Sequence, residues 1–119
     1  MPEKSSFNEV FRGRTKRMAL DIIEVYRKLP QKEEAKLIGR QLLRSATSVA
    51  ANFRATCRAR SKREFFSKLS IVVEEADETL FWLELLEEAK IISTNELTVI
   101  KQEVTEILAV MATARKNAK

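Results

Sequence analysis

The sequence predicts an all-α fold, an up-down-up-down antiparallel four-helix bundle. Three observations carry that prediction. Apolar residues recur at three- and four-residue steps in four separate segments. The 119 residues include only two glycines and two prolines, so loops must be short and few positions can need a positive φ. Three segments open on Ser-x-x-Glu, the box in which a hydroxyl and a carboxylate satisfy free backbone N–H groups. The expected helices cover about 7–29, 32–59, 62–90 and 94–116, within one domain over residues 1–119.

In the first segment Phe11, Met18, Ile22, Val25 and Leu29 form the stripe, and Ala19, Ile23 and Tyr26 widen it. Ser6-x-x-Glu9 is its expected capping box, and Pro30 stops it because proline lacks an N–H and restricts the residue before it. The second segment places Glu33 and Glu34 in its first turn, where the helix dipole favours negative charge. Its core stripe is Ile38, Leu42, Val49 and Phe53, filled out by Ala35 and Ala46. The third starts at Ser61-x-x-Glu64 and runs through Phe65, Leu69, Val72, Ala76, Leu80, Leu83 and Leu86. The fourth starts at Ser93-x-x-Glu96, and Leu97, Ile100, Val104, Ile107, Met111 and Ala114 make a bundle seam. Connections of a few residues between long helices force antiparallel neighbours.

Histidine is absent, which removes the commonest general base, the commonest metal ligand and every Ser-His or Cys-His arrangement. The single cysteine, Cys57, excludes an intrachain disulfide and is expected to be a small buried apolar residue. Glu74, Glu75, Asp77 and Glu78 lack the histidine partners of a bundle di-iron centre. No catalytic residue, metal or cofactor is therefore expected, and the protein is not read as an enzyme. No apolar leader core opens the chain and no window approaches the ~20 apolar residues of a membrane span, so a cytoplasmic protein with no membrane partner is expected.

Charge is unevenly distributed. The net charge is +5, with local balances of +3 over residues 1–30, +7 over 31–63, −6 over 64–92 and +1 over 93–119. On a wheel of 100° per residue, Lys36, Arg40, Arg44, Arg54 and Arg58 fall within an arc of about 80°, opposite the apolar stripe. Thr47 and Ala51 complete that arc with small side chains. The arc defines an expected basic stripe about 33 Å long, which Arg60, Lys62 and Arg63 extend around the following turn. Between Ala35 and Arg63 there is no acid among eight bases, whereas an ordinary solvated face mixes signs. A phosphate backbone would relieve the like-charge repulsion along the stripe. The stripe has no aromatic interleaving, so the expected binding is backbone-dominated and weakly sequence-selective. The competing expectation docks the stripe on the acidic third helix of a neighbouring subunit. On that helix Ile71, Phe81, Trp82 and Leu85 fall on the side away from the core stripe, an expected homo-oligomer interface. Asn52, at the flank of the second helix, is placed to bond across to a neighbouring helix or to be satisfied locally.

Ser45-Ala-Thr-Ser-Val-Ala-Ala-Asn52, then Ser61-Lys-Arg-Glu-Phe65, then a Glu- and Leu-rich helix ending Leu85-Leu-Glu-Glu-Ala89, resembles a bacterial family. Its members are four-helix bundle proteins encoded in intervening sequences of large-subunit ribosomal RNA genes, together with the accessory variability determinant proteins of retroelements. The resemblance runs over roughly Phe11 to Ala114. It implies a four-helix bundle, a homopentameric ring, nucleic-acid binding and no catalytic residues. For the retroelement members it implies a reverse transcriptase as protein partner. Where many members carry Ile-Ala-Glu-Gly and then Gly-Arg after Ala-Ala-Asn, this chain has Phe53-Arg-Ala-Thr-Cys-Arg-Ala-Arg60, which is more basic and without glycine. The expected function is thus non-enzymatic binding of structured RNA or DNA by an oligomer, with a protein-binding scaffold or adaptor as the alternative.

Overall fold

The computed structural model of the protein describes residues 2–118. Four helices make up the fold: α1 (Pro2–Arg27), α2 (Glu33–Thr56), α3 (Lys62–Glu88) and α4 (Thr94–Asn117). No strand occurs among the described residues. Each helix packs on the next, α4 returns to α1, and the α2–α3 contact is the most extensive. The chain direction alternates. Phe7 near the start of α1 meets Phe53 near the end of α2, and Arg115 near the end of α4 donates from Nε to Ser70 Oγ near the start of α3 at 2.6 Å.

The apolar stripes form the core as their periodicity predicts. Met18 and Ile22 from α1, Leu42, Val49 and Phe53 from α2, Leu69, Val72 and Leu83 from α3, and Leu97, Val104, Ile107 and Met111 from α4 are all fully buried. Ile38, Val25, Phe65, Leu80 and Ala114 are half-buried at its edges. Four hydroxyl residues also lie inside, at Thr15, Ser45, Thr56 and Thr79. Each is satisfied by its own helix: Thr15 Oγ1 donates to Phe11 O at 2.8 Å, and Thr79 Oγ1 lies 2.8 Å from Glu75 O. Thr79 and Ser45 also meet across the α2–α3 interface at 2.9 Å, a polar contact that marks the register of these two helices.

Helix ends differ from the periodicity in informative ways. Ser6 lies inside α1, one turn beyond its start at Pro2, so it is not the N-cap that Ser6-x-x-Glu9 suggests. Proline suits the first helical position, where its missing N–H is not needed, and the helix extends back to it. At α3 the Ser61 cap forms, and the reciprocal bond shifts by one residue: Ser61 Oγ accepts from Glu64 N at 3.0 Å, and Glu64 Oε1 accepts at 3.1 Å from the N–H of Arg60, just before the cap, and not from Ser61 N. At α4, Ser93 Oγ accepts from Glu96 N at 3.4 Å and donates to Glu96 Oε1 at 3.1 Å. α2 stops at Thr56, not near residue 59, because reversing the chain into the Ser61 cap takes up residues 57–61. Cys57 is consequently a half-buried C-cap residue and not a buried helix residue.

Two backbone features depend on the packing. Lys90 takes a positive φ of 60°. Ile91 N–H bonds Leu86 O at 2.9 Å and Lys90 N–H bonds Glu87 O at 3.0 Å, the paired bonds of a left-handed C-terminal turn made without glycine. Gly39 lets α2 pass close to the C-terminal end of α1 and to Leu29 just beyond it. A Cβ built there would lie 2.4 Å from Leu29 Cδ1 and 3.1 Å from the Tyr26 ring, so a side chain would push the two helices apart or displace Leu29. No helix among the described residues is long and apolar enough to cross a membrane.

Candidate nucleic-acid interface

Position follows directly from periodicity on α2. With Leu42, Val49 and Phe53 facing the core, Lys36, Arg40 and Arg54 stand on the opposite, exposed side. Thr47 and Ala51 between them are exposed as well. None of these three cations makes an ion pair among the described residues. Asn52 does not reach a neighbouring helix. Its Nδ2 donates to Ser48 O and Ser48 Oγ, each at 2.9 Å, within its own helix.

Arg44 breaks the stripe. Its Nη1 pairs with Glu75 Oε2 at 3.3 Å, its Nη2 lies 3.4 Å from Glu75 Oε1, and its Nη2 also bonds Glu78 Oε2. Two carboxylates of the same chain therefore surround it. The Glu78 hydrogen bond first, and Glu75 second, hold its guanidinium above the ordinary arginine range. Glu78 is held below the usual carboxylate range, chiefly by the Trp82 indole N–H at 3.0 Å and then by Arg44, against desolvation. Arg58 also leaves the stripe, because α2 ends two residues before it. What remains on the helix spans about 27 Å from Lys36 to Arg54, with a neutralised position in the middle.

The cations regroup at the end of the bundle. Arg54 in the last turn of α2, Arg58 and Arg60 in the connection, and Lys62 and Arg63 in the first turn of α3 are all exposed. No ion pair engages any of the five among the described residues, and Glu64, in the first turn of α3, accepts from the Arg60 backbone N–H. Two of the cations sit at the N-terminal end of α3, where the helix dipole adds to the positive potential.

The acidic block is partly used within the chain. Glu75 and Glu78 take Arg44, and Glu87 takes Lys101 Nζ at 2.5 Å across α3 and α4, while Glu74 and Asp77 stay exposed. On the α1–α4 side, Arg14 bridges Glu103 at 2.6 Å and Glu106 at 2.9 Å. The outward side of α3 carries Phe81 at 49% and Ile71 at 41% exposure, both high for such large apolar groups. Trp82 and Leu85 are only half exposed, and Trp82 packs against the core with its ring 4.8 Å from Phe81 in an edge-to-face pair. Among the described residues no group of three or more His, Cys, Asp or Glu side chains is arranged to hold a metal ion.

Arg44's neutralisation is the part that sequence reasoning missed. Its signal was faint: Arg44 precedes Ser45, which faces α3, so it stands at the edge of the basic arc nearest the acidic helix.

Four helices joined by short connections, each packed on the next with α4 returning to α1, place the chain in the class of four-helix bundles. Residues 10–113 match the family described as 23S rRNA-intervening sequence protein, and the chain belongs to that family. A solved structure of a protein of unknown function from the S23 ribosomal protein family of Bacteroides thetaiotaomicron is similar to it. The two are 32% identical with a TM-score of 0.84, over 92% of this chain and 97% of that one. No curated protein sequence matches the chain.

Proposed function

We propose that the protein is a non-enzymatic nucleic-acid-binding protein that holds RNA or DNA by its phosphate backbone at the α2–α3 end of the bundle. The observation that carries this is the group Arg54, Arg58, Arg60, Lys62 and Arg63, five exposed cations without an acid partner. Self-repulsion in such a group is relieved by a polyanion. A family described by its place in 23S rRNA intervening sequences agrees with an RNA-facing role. Lys36 and Arg40 form a second, smaller site on the same face of α2, and Arg44 is a structural bridge.

Fluorescence anisotropy with a structured RNA and a duplex DNA at two salt concentrations tests the proposal. Five phosphates neutralised on duplex DNA give a slope of about −4.5 in log K against log salt, which is roughly a 500-fold loss between 50 and 200 mM. A flat salt dependence would remove the backbone reading. A partner that is instead a protein, retained after nuclease treatment, would favour the adaptor function.

The same proposal takes the working form as a homo-oligomer that covers the outer side of α3. Ile71 and Phe81 support this, being large, apolar and exposed on the outer side of one helix, and aromatic residues are enriched in subunit interfaces. Leu85 and Trp82 flank them. Phe81→Asp should shift the protein to a smaller species in sedimentation velocity, and an unchanged oligomer would remove this face from the interface.

A further inference from the structure

A cavity of about 960 Å³ opens at the end of the bundle, where α1 begins, α4 ends and the α2–α3 connection crosses between them. Its size is within the range of small-molecule sites. Phe7, Phe65, Val110 and Ala114 contribute apolar wall. Asn8, Thr113 and Asn117 contribute hydrogen-bonding groups, and Arg60 and Lys62 contribute the charge. None of the lining residues is acidic among the described residues. Burial pushes the Cys57 thiol up, with Arg12 opposing, so the thiol adds no negative charge to the wall. Asn8 Oδ1 is buried and has no hydrogen-bond partner among the described residues. A buried acceptor left unpaired is costly, and a donor brought into reach by a small turn of the carboxamide would relieve it.

This wall does not suit a purely hydrocarbon ligand, which would leave the carboxamides and hydroxyls without partners. It suits a ligand with flat apolar faces, a hydrogen-bonding edge and an attached anion. A nucleobase with its phosphate has all three: its faces pack on aromatic and apolar side chains, its edge carries amine donors, and its phosphate seeks cations. Arg60 and Lys62 belong to both the cavity and the exposed cationic group, so a chain held by its phosphates passes the mouth. We propose that the end cavity receives one unpaired nucleotide of the bound nucleic acid. The base lies against the apolar wall made by Phe7, Val110 and Ala114, its exocyclic amine faces Asn8, and its phosphate faces Arg60 and Lys62. The proposal rests on the phosphate-binding function above and adds a preference for looped or single-stranded segments over plain duplex.

The experiment titrates the full chain, labelled with nitrogen-15, with each 5′-nucleoside monophosphate and separately with inorganic phosphate. Saturable shifts at Asn8, Cys57, Thr113 and Ala114, given by nucleotides and not by phosphate alone, are expected. Ala114→Phe, which narrows the cavity and leaves every cation in place, should abolish those shifts. It should weaken a hairpin-loop RNA about tenfold while changing a blunt duplex by no more than about twofold. Thr113→Trp, at an exposed wall position, carries the same comparison if Ala114→Phe does not fold. Absent cavity shifts, equal shifts from phosphate alone, or equal weakening of hairpin and duplex would each overturn the proposal. Duplex affinity of the unmodified chain reports the phosphate-binding function on its own: duplex binding without cavity shifts discards the pocket alone.

Discussion

Replacing Arg54, Arg58 and Arg63 together by glutamate should lower RNA affinity by a factor on the order of 10² to 10³ at moderate salt. The three substitutions remove cations that no carboxylate of the chain engages among the described residues, and place anions where phosphates would approach. They should also leave the fold intact, because all three side chains are exposed and none carries a core contact. The salt slope is the sharper readout. Each lost phosphate contact reduces it by about one, so it should fall from about −4.5 to about −1.8 as only Arg60 and Lys62 remain. Arg44→Ala is the paired control. Since Arg44 is engaged by Glu75 and Glu78, its loss should change affinity by no more than about threefold. Equal losses from Arg44→Ala and from the triple variant would place the binding surface along the whole of α2 and not at its end. Unchanged affinity in the triple variant would end the proposal. Circular dichroism of each variant checks that the helical content is unaltered.

The largest effect on stability is expected at Phe53. This side chain is fully buried, and its ring meets Phe7 edge-on at 6.1 Å, with Phe7 in turn 5.0 Å from Phe11. The three rings close the core at the end of the bundle where the cavity opens. Truncation of a buried phenylalanine to alanine removes its transfer free energy and leaves a void, together about 3–5 kcal/mol. Phe53→Ala should therefore lower the thermal midpoint by roughly 10–20 °C at fixed protein concentration. The new void would adjoin the end cavity, so water could enter and the loss should fall toward the lower end of that range. Thermal or urea denaturation followed by circular dichroism measures it. A loss below about 1 kcal/mol would mean that this end of the bundle is not packed as described.

Much of this molecule was legible in one dimension because helix periodicity is local. Ile107 and Met111 are buried, and Arg40 and Arg54 are exposed, for a reason contained in their spacing alone. Capping was partly legible for the same reason. Ser61 and Glu64 meet within one turn, so nothing distant can rearrange them. Ser6-x-x-Glu9 has the same letters and fails as a cap because the helix continues back to Pro2, and a box matters only where a helix actually begins. Lys90 shows the converse: a left-handed turn formed with no glycine to announce it, since the bonds to Leu86 and Glu87 outweigh the strain at one residue.

The sequence by itself determined the four helices, the faces they bury and the excess of positive charge on the side of α2 away from the core. Only the tertiary structure decided which of those charges are available. Arg44 meets Glu75 and Glu78, which lie 31 and 34 positions away, and that meeting depends on how α2 and α3 are rotated and offset against each other. Periodicity fixes the direction in which a side chain leaves its own helix and carries no information on the offset of another. The physical consequence is a redistribution of free charge, from a continuous stripe along α2 to a cluster at the end of the bundle beside the cavity that Arg60 and Lys62 line.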